Sequence, residues 1–92
     1  MHLQVLTPDK KIFDGESNGV QLPGINGSFE ILNNHAPIIS ALTYGKIRIK
    51  KTDGSDEYIL IKEGIVDCLN NKVIVLVEAV QKDKEEKNRK ES

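Results

Sequence analysis

The sequence predicts an all-β protein, a β-sandwich or flattened barrel of eight to ten short, mostly antiparallel strands. Short apolar segments recur along residues 2–80 with turn-forming residues between them. The segment 46–50 alternates between charged and apolar residues, which is the period of a strand with one buried face. Before residue 78, apolar positions do not recur with the period of an amphipathic helix. Many short strands with frequent turns are typical of sandwiches.

Five predicted strands lie in the first half of the chain. In the first of them, Leu3 and Val5 alternate with polar residues, and the Thr-Pro-Asp-Lys segment at 7–10 forms the turn that follows. Pro23 and Gly24 end the third strand. The five strands share an apolar or alternating pattern and cover residues 2–5, 11–15, 19–22, 28–32 and 37–42.

The second half of the chain is predicted to be a meander of four antiparallel strands. Asp53-Gly54 is a strong hairpin signal between the first two. Gly64 interrupts the apolar pattern, and a glycine inside a strand indicates a bulge or a bend. Asn70 and Asn71 form a tight turn, because asparagine tolerates positive φ. The four strands cover residues 46–50, 57–62, 65–69 and 72–77.

The last predicted strand differs from the others, because residues 73–77 are all apolar. A strand with one solvated face alternates between apolar and polar side chains, and this one does not. It is therefore predicted either to be a central strand of the sandwich, with both faces buried, or to present its outer face to a partner.

The composition changes at Gln81. Residues 1–80 are predicted to form one β-sandwich domain, because a chain of 92 residues buries a single modest core. Residues 82–91 contain no apolar side chain. Pairs such as Asp83 and Lys87 have the spacing that supports a helix, but the segment has no apolar side chain with which a helix could pack against the domain. We therefore expect residues 81–92 to be a charged tail, disordered or a frayed helix.

Composition argues against several classes of function. The net charge of −1 argues against a nucleic-acid binder, and two phenylalanines with two tyrosines are too few for a base-stacking platform. Cys68 is the only cysteine, so no intramolecular disulfide forms, and its place in a strand predicts a small buried side chain. With no apolar leader and no long apolar run, we expect any membrane association to come through a partner.

No catalytic, cofactor or metal site is predicted. The serines lie in turns or loops without an adjacent base and orienting group. His2 and His35 are too few for a histidine-rich metal site, and a site combining them with Asp14 or Glu16 is the alternative left open. The glycines of residues 24–28 could cradle a phosphate, but a strand with an acidic residue follows them instead of a lysine and a helix.

One stretch, at residues 22–37, contains unusually specific loop chemistry. It reads Leu-Pro-Gly-Ile-Asn-Gly-Ser-Phe-Glu-Ile-Leu-Asn-Asn-His-Ala-Pro, with two turn segments around a short apolar strand. This stretch resembles the signature of the epsilon subunit of the F-type ATP synthase. Other segments resemble the same family in the same order, and these are residues 5–8, 12–15, 45–49, 64–66 and 73–77.

The resemblance implies a β-sandwich without catalytic activity or cofactor. Members of the family are central-stalk rotor subunits that join the gamma subunit to the membrane c-ring and support coupling of proton or sodium transport to ATP synthesis. This implies a peripheral position on the cytoplasmic face of the bacterial inner membrane. Carried over to this chain, the ring-facing turn comprises Gly24, Ile25, Asn26, Gly27, Ser28 and Phe29. The gamma-facing side comprises Thr7, His35, Ala36 and Pro37.

The chain departs from the family pattern at two places. Glu30 stands where the family usually has glycine, so we expect an exposed position there. Most bacterial members continue into a C-terminal helical hairpin that inhibits ATP hydrolysis and in some members binds ATP. This chain resembles the short form that lacks the hairpin, and we expect its ending to be natural. We therefore expect the chain neither to hydrolyse ATP nor to bind it tightly.

Two other classes of function stay open from the residues alone. A biotinyl-like or lipoyl-like carrier needs a modifiable lysine at the tip of a tight hairpin. Asp9-Lys10 is the only loose candidate, and it lies too near the N-terminus for the two similar halves of that fold. A ligand-binding β-sandwich needs an aromatic-lined groove, which the few aromatic residues hardly supply.

Overall fold

A computed structural model of the chain describes residues 1–80. These residues contain no helix, so the predicted all-β class is confirmed and none of them forms a membrane-spanning helix. The tail predicted at residues 81–92 lies outside the described residues. The described strands are β1 (His2–Leu6), β2 (Lys11–Gly24), β3 (Gly27–Leu32), β4 (Ile38–Leu42), β5 (Gly45–Lys51), β6 (Asp56–Leu69) and β7 (Lys72–Ala79).

The described residues form fewer strands than predicted, because two strands are long and bent. β2 and β6 each run for 14 residues, and each joins two segments that the sequence predicts as separate strands. The join in β2 is a bulge at Ser17, whose buried hydroxyl donates to the Gly19 carbonyl at 2.7 Å. The join in β6 is a register shift between Ile61 and Glu63. A bulge bends a strand without ending its ladder, so each long strand pairs with different neighbours before and after its bend.

Five strands close on themselves into a flattened barrel. β1 pairs with β2, β2 with β5, β5 with β6, β6 with β7, and β7 returns in parallel to β1. The other pairings are antiparallel, as predicted. β3 extends the sheet beside β2, and β4 lies beside β6 with a single bridge to β2. Closure pairs each of these five strands with two neighbours among them, which makes the scaffold stiff.

The core lies inside this barrel and consists of alternate residues of the strands. Cys68 belongs to it, as predicted, and burial raises the pKa of its thiol. Each fully buried aliphatic side chain contributes about 1.5–3 kcal/mol, so the core stabilises the domain without a disulfide. The largest fully buried side chains include Leu3, Leu22, Ile31, Ile47, Ile49 and Ile61.

The tight turns have the backbone conformations that their residues predict. Asn70 and Asn71 have φ angles of 54° and 61°, which confirms the predicted turn between β6 and β7. Gly54, in the hairpin between β5 and β6, has a φ of 92°. Gly64 lies just after the bend of β6, where a Cβ would come within 2.5 Å of the Leu76 carbonyl oxygen. The irregularity of β6 lies just before this glycine, between Ile61 and Glu63, and close approach to β7 excludes a side chain at Gly64.

Candidate partner-binding surfaces

The β2–β3 turn is a two-residue hairpin loop, with Ile25 and Asn26 between the paired residues Gly24 and Gly27. Gly27 has a φ of 123°, a conformation that favours glycine. A Cβ at Gly24 would come within 2.7 Å of the Gly27 carbonyl oxygen and 2.8 Å of the Phe29 ring. Both glycines are therefore needed for the turn to close this tightly.

Two of the six residues predicted to face the c-ring are not exposed. Gly24 is buried, and Phe29 is a partly buried side chain packed against the core. These two residues determine the conformation of the turn and are not themselves available for contact with a partner. The other four form an exposed tip, which we call the turn tip and which comprises Ile25, Asn26, Gly27 and Ser28.

Thr7 lies in the β1–β2 turn and is partly buried. Its N–H donates to the Lys10 carbonyl at 2.9 Å, and its hydroxyl accepts from the Lys10 N–H at 3.1 Å. A threonine hydroxyl bonded in this way stabilises its own turn. Thr7 therefore has a structural role that is independent of any partner.

His35, Ala36 and Pro37 lie in the exposed connection between β3 and β4. The His35 N–H donates to the Leu32 carbonyl at 3.2 Å, and His35 Nδ1 lies 2.7 Å from the Ala36 carbonyl oxygen. His35 thus closes the corner between the strands, and its side chain stays open to solvent.

The predicted gamma-facing residues lie at opposite ends of the sandwich, with Thr7 at one end and the corner at His35 at the other. Thr7 follows the last residue of β1, which pairs with Leu76 of β7. His35 lies at the other end of β7, where the Asn34 N–H donates to the Asn71 side chain at 2.7 Å. A five-residue strand such as β1 spans about 16 Å, so one small contact cannot include both positions.

The turn tip lies at the Thr7 end of the sandwich. Its hairpin begins at Gly24, which pairs with Leu42, and Leu42 pairs in turn with Gly64. Gly64 pairs with Val77, next to the end of β1 and Thr7. The structure therefore places Thr7 near the predicted ring-facing turn, and away from His35.

The outer surface of β1, β4, β6 and β7 has a row of aliphatic side chains. Ala41 pairs with Ile65, Ile65 with Leu76, and Leu76 with Leu6, so four strands contribute in register. Ile65 is 43% exposed and Leu76 is 49% exposed. We call this surface the apolar face, and it comprises Leu6, Ile39, Ala41, Ile65, Ile74 and Leu76.

One sequence signal does point to the apolar face, the continuous apolar run at residues 73–77. In β7, Val73, Val75 and Val77 are buried whereas Leu76 is exposed. The strand is therefore not buried on both faces, and its outer face is open. The exposed isoleucines of β4 and β6 have no such signal, because only the register between strands brings them together.

The outer surface of β3, β5, the second half of β2 and the first half of β6 is charged. Arg48 Nη2 lies 2.8 Å from the Asp56 carboxylate, which raises the pKa of the Arg48 guanidinium. Glu30 is partly buried in an ion pair with Lys50, so the expectation of an exposed position was wrong. Gly19 lies between their strands and has no side chain to separate them. This charged face comprises Glu30, Arg48, Lys50, Asp56 and Tyr58.

The metal site considered from the sequence does not assemble. His2 Nε2 lies 2.9 Å from Asp14 and His2 Nδ1 lies 3.3 Å from Glu16, so the two carboxylates contact different nitrogens of one ring. The Lys11 ammonium, 3.0 Å from the Asp14 carboxylate, holds the pKa of Asp14 below its ordinary value. Nowhere within residues 1–80 do three His, Cys, Asp or Glu side chains converge as metal ligands would.

Comparison with known proteins identifies one family for this chain. Residues 1–83 match the family described as ATP synthase, Delta/Epsilon chain, beta-sandwich domain. The ATP synthase epsilon chain of Chlorobaculum tepidum is 42% identical over 78 residues, which cover 85% of this chain and 89% of that protein. The epsilon chain of Lawsonia intracellularis is 39% identical, over 92% of this chain and 63% of its own length.

Solved structures share the fold. A chain of the Euglena gracilis mitochondrial ATP synthase superposes with a TM-score of 0.79 at 20% identity, over 97% of this chain and 61% of that chain. A chain of the Tetrahymena thermophila mitochondrial ATP synthase central stalk and c-ring gives a TM-score of 0.71 at 17% identity, over 84% of this chain and 62% of its own. This chain is thus similar to nearly the whole of some relatives and to about three-fifths of others.

Proposed function

This chain belongs to the family of the ATP synthase delta and epsilon chains, and from that membership we propose how its surfaces act in the enzyme. It is a non-catalytic rotor subunit of the F-type ATP synthase. The carrier and ligand-binding alternatives are not favoured, because the relatives that match most of the chain are epsilon chains. The proposed partners are the gamma subunit and the c-ring, which this subunit joins so that proton or sodium transport is coupled to ATP synthesis.

The apolar face is the proposed gamma-binding surface, and its row of aliphatic side chains is the observation that carries the proposal. The row from Ala41 through Ile65 and Leu76 to Leu6 crosses four strands in register. A contiguous exposed apolar surface of this kind is characteristic of an interaction site on a soluble domain. Asp67 is exposed on the same surface of β6, and Glu63 pairs with Glu78 at one end of it, so a matching partner offers mainly apolar groups together with cations.

The residues that the family resemblance assigns to gamma lie around this surface. Thr7 directly follows Leu6 at one end of the apolar face. His35, Ala36 and Pro37 precede β4 at the other end. A polar or loop-borne rim around an apolar centre is the usual anatomy of a protein interface. We therefore place these four residues at the rim of the gamma contact, with the aliphatic row at its centre.

The turn tip is the proposed contact with the c-ring. Ile25, Asn26, Gly27 and Ser28 are exposed, and the tight closure at Gly24 holds them in one shape. A rigid turn on a closed barrel transmits torque without yielding. The buried Gly24 and the partly buried Phe29 support the turn from below, and in this proposal they do not themselves contact the ring.

The chain is part of a membrane-associated complex, and we place it on the cytoplasmic face of a bacterial inner membrane. The epsilon chains of Chlorobaculum tepidum and Lawsonia intracellularis come from bacteria, which supports that placement. The chain attaches to the membrane in this proposal only through the other subunits. That it neither hydrolyses ATP nor binds it tightly stays a prediction, which titration calorimetry with ATP tests directly.

Two positions on one strand test the gamma proposal. Ile65 and Tyr58 both lie on β6 and are 43% and 48% exposed, but Ile65 belongs to the apolar face and Tyr58 to the charged face. We expect Ile65→Asp to weaken copurification of gamma about tenfold or more, as for the loss of an anchor in an interface. Tyr58→Asp should leave it unchanged.

The isolated variants supply the necessary control. Because both positions are on the surface, each substitution should change the free energy of unfolding by about 0.5 kcal/mol or less. Equal retention of gamma by Ile65→Asp and by the unmodified chain would overturn the proposal. A similar loss with both variants would show that the effect does not depend on the apolar face.

A further inference from the structure

The turn tip is joined to a second turn, the β4–β5 turn at Thr43 and Tyr44. The Thr43 N–H donates to the Pro23 carbonyl at 2.8 Å, and the Ile25 N–H donates to the Ala41 carbonyl at 3.2 Å. A Cβ on the residue after Tyr44 would lie 2.8 Å from the Cβ of Pro23, so the two backbones are in close contact. The two turns therefore form one rigid platform at the Thr7 end of the sandwich.

This platform presents two large side chains to solvent. Ile25 is 60% exposed and Tyr44 is 64% exposed. Neither turn contains a charged residue, at residues 23–28 or at residues 43–45, although 29% of the chain is charged. Asn26, Ser28 and Thr43 supply neutral hydrogen-bonding groups around the two side chains. An uncharged centre with a tyrosine and a neutral polar rim has the composition of a protein interface core.

We infer that Tyr44 is a second anchor of the ring contact, beside Ile25, against partner loops that are polar but carry few charges. The inference rests on the proposed assignment of the turn tip to the ring. A tyrosine buries a large apolar ring while its hydroxyl keeps a hydrogen bond, which suits contact with a polar loop. A strongly charged partner loop would lose solvation here without finding an opposite charge, so the platform disfavours it.

The experiment compares the two exposed tyrosines in the assembled ATP synthase. Tyr44→Ser and Tyr58→Ser remove the same side chain from surfaces of similar exposure, one on the platform and one on the charged face. We expect Tyr44→Ser to weaken retention of the c-ring about tenfold and to reduce ATP-driven proton pumping relative to ATP hydrolysis. Tyr58→Ser should change neither quantity.

Two further measurements sharpen the assignment. Tyr44→Phe keeps the aromatic ring and loses the hydroxyl, so it should retain the c-ring better than Tyr44→Ser. Because the platform is uncharged, raising the salt concentration should not weaken ring retention, whereas a contact between charges would weaken. Loss of retention at high salt in the unmodified enzyme would overturn the inferred chemistry of the partner loop.

Ser28→Arg separates failure of this inference from failure of the proposed function. If Ser28→Arg uncouples pumping and Tyr44→Ser does not, the turn tip faces the ring and Tyr44 is not an anchor. If neither variant has an effect, the ring assignment and the inference both fail. If Tyr44→Ser lowers the melting temperature of the isolated chain, or releases gamma instead of the ring, the tyrosine has another role and the inference is overturned.

Discussion

The charged face and the apolar face are both formed by antiparallel strands, but they differ in whether their outward side chains find partners within the chain. β6 contributes to both, with Tyr58 on the charged face and Ile65 on the apolar face. On the charged face, Arg48 finds a carboxylate partner on the neighbouring strand β6, and Lys50 finds one on β3, two strands away across Gly19. On the apolar face, the in-register aliphatic side chains lie beside one another and beside Asp67, and most of them remain open to solvent. In the isolated chain, the charged side chains therefore already have their partners, whereas the aliphatic side chains of the apolar face are not buried.

The magnitudes of the two kinds of contact explain why this difference matters. An exposed ion pair contributes about 0–1 kcal/mol, whether or not a partner is present. Burial of an exposed leucine or isoleucine contributes about 1.5–3 kcal/mol, and on the apolar face that gain is realised only in a complex. In the proposed complex, the free energy of association therefore comes mainly from burial of the apolar face, and the ion pairs of the charged face contribute little.

The largest expected effect comes from substitution at Gly64, just after the bend where β6 passes from one face to the other. In Gly64→Val, the new Cβ would meet the Leu76 carbonyl oxygen at 2.5 Å and the Val77 side chain at 2.8 Å. We expect the free energy of unfolding to fall by about 3 kcal/mol, because backbone atoms cannot move aside cheaply. Chemical denaturation of the isolated chain measures the change.

Gly54→Ala is the matched control for the bend. Gly54 also cannot take a side chain without cost, because its φ is 92°, but a Cβ there would have no atom within 4 Å. The expected loss is therefore only about 1 kcal/mol, the cost of a left-handed backbone conformation. Equal losses in the two variants would show that the bend does not depend on close approach between β6 and β7.

A smaller effect is expected at the rim of the apolar face. His35→Ala removes an exposed ring that closes the β3–β4 corner and leaves the aliphatic row intact. Rim residues contribute little to affinity, so we expect gamma binding to weaken about threefold. Titration of the isolated chain against gamma measures it. A loss as large as that expected for Ile65→Asp would mean that the centre of the contact lies at His35.

The charged face should tolerate replacement of a charged side chain by an aliphatic one. Arg48→Leu removes the ion pair with Asp56 and adds an exposed aliphatic side chain. The pair is on the surface, so the free energy of unfolding should be nearly unchanged, and gamma affinity should not change. Thermal unfolding and gamma titration test the two expectations. Any clear change in gamma affinity would place the charged face within the interface.

The smallest effect concerns the hairpin beside the charged face. The Ser55 hydroxyl and N–H donate to Asp53 at 2.6 and 2.9 Å, which holds the pKa of Asp53 below its ordinary value. A lowered folded-state pKa stabilises the fold above the unfolded pKa of about 3.9, and the contribution is lost as the pH falls through the folded-state pKa. Ser55→Ala should raise the pKa of Asp53 part of the way back, because the N–H bond stays. NMR titration of Asp53 measures this, and an unchanged pKa would contradict the assigned cause.

Much of the fold could be predicted because its signals are local. Asn70 and Asn71 adopt positive φ in a two-residue turn, as asparagines in that position predict. The alternation in the segment 46–50 places Ile47 and Ile49 in the core. The number of strands could not be predicted in the same way. Polar residues such as those around Ser17 are equally compatible with a bulge and with a turn. Only the pairing of β2 with other strands distinguishes the two.

The candidate surfaces were predicted less completely, for a related reason. The resemblance to the family assigns the turn tip, and the structure leaves its four residues exposed. It also assigns Gly24 and Phe29, whose burial depends on how the turn folds back on the core. The apolar row of Ile65 and Leu76 has only a weak sequence signal, since the two residues are 11 positions apart and meet through strand register.

The sequence by itself determined the all-β class, the positions of the tight turns, the alternation that selects core residues and the resemblance to a family. Each of these depends on a residue and its near neighbours, through backbone preference or the two-residue period of a strand. Only the tertiary structure decided that β2 and β6 are continuous, that Glu30 meets Lys50, and that Thr7 and His35 lie at opposite ends. These depend on register between strands distant in sequence, which is set by the packing of the whole barrel.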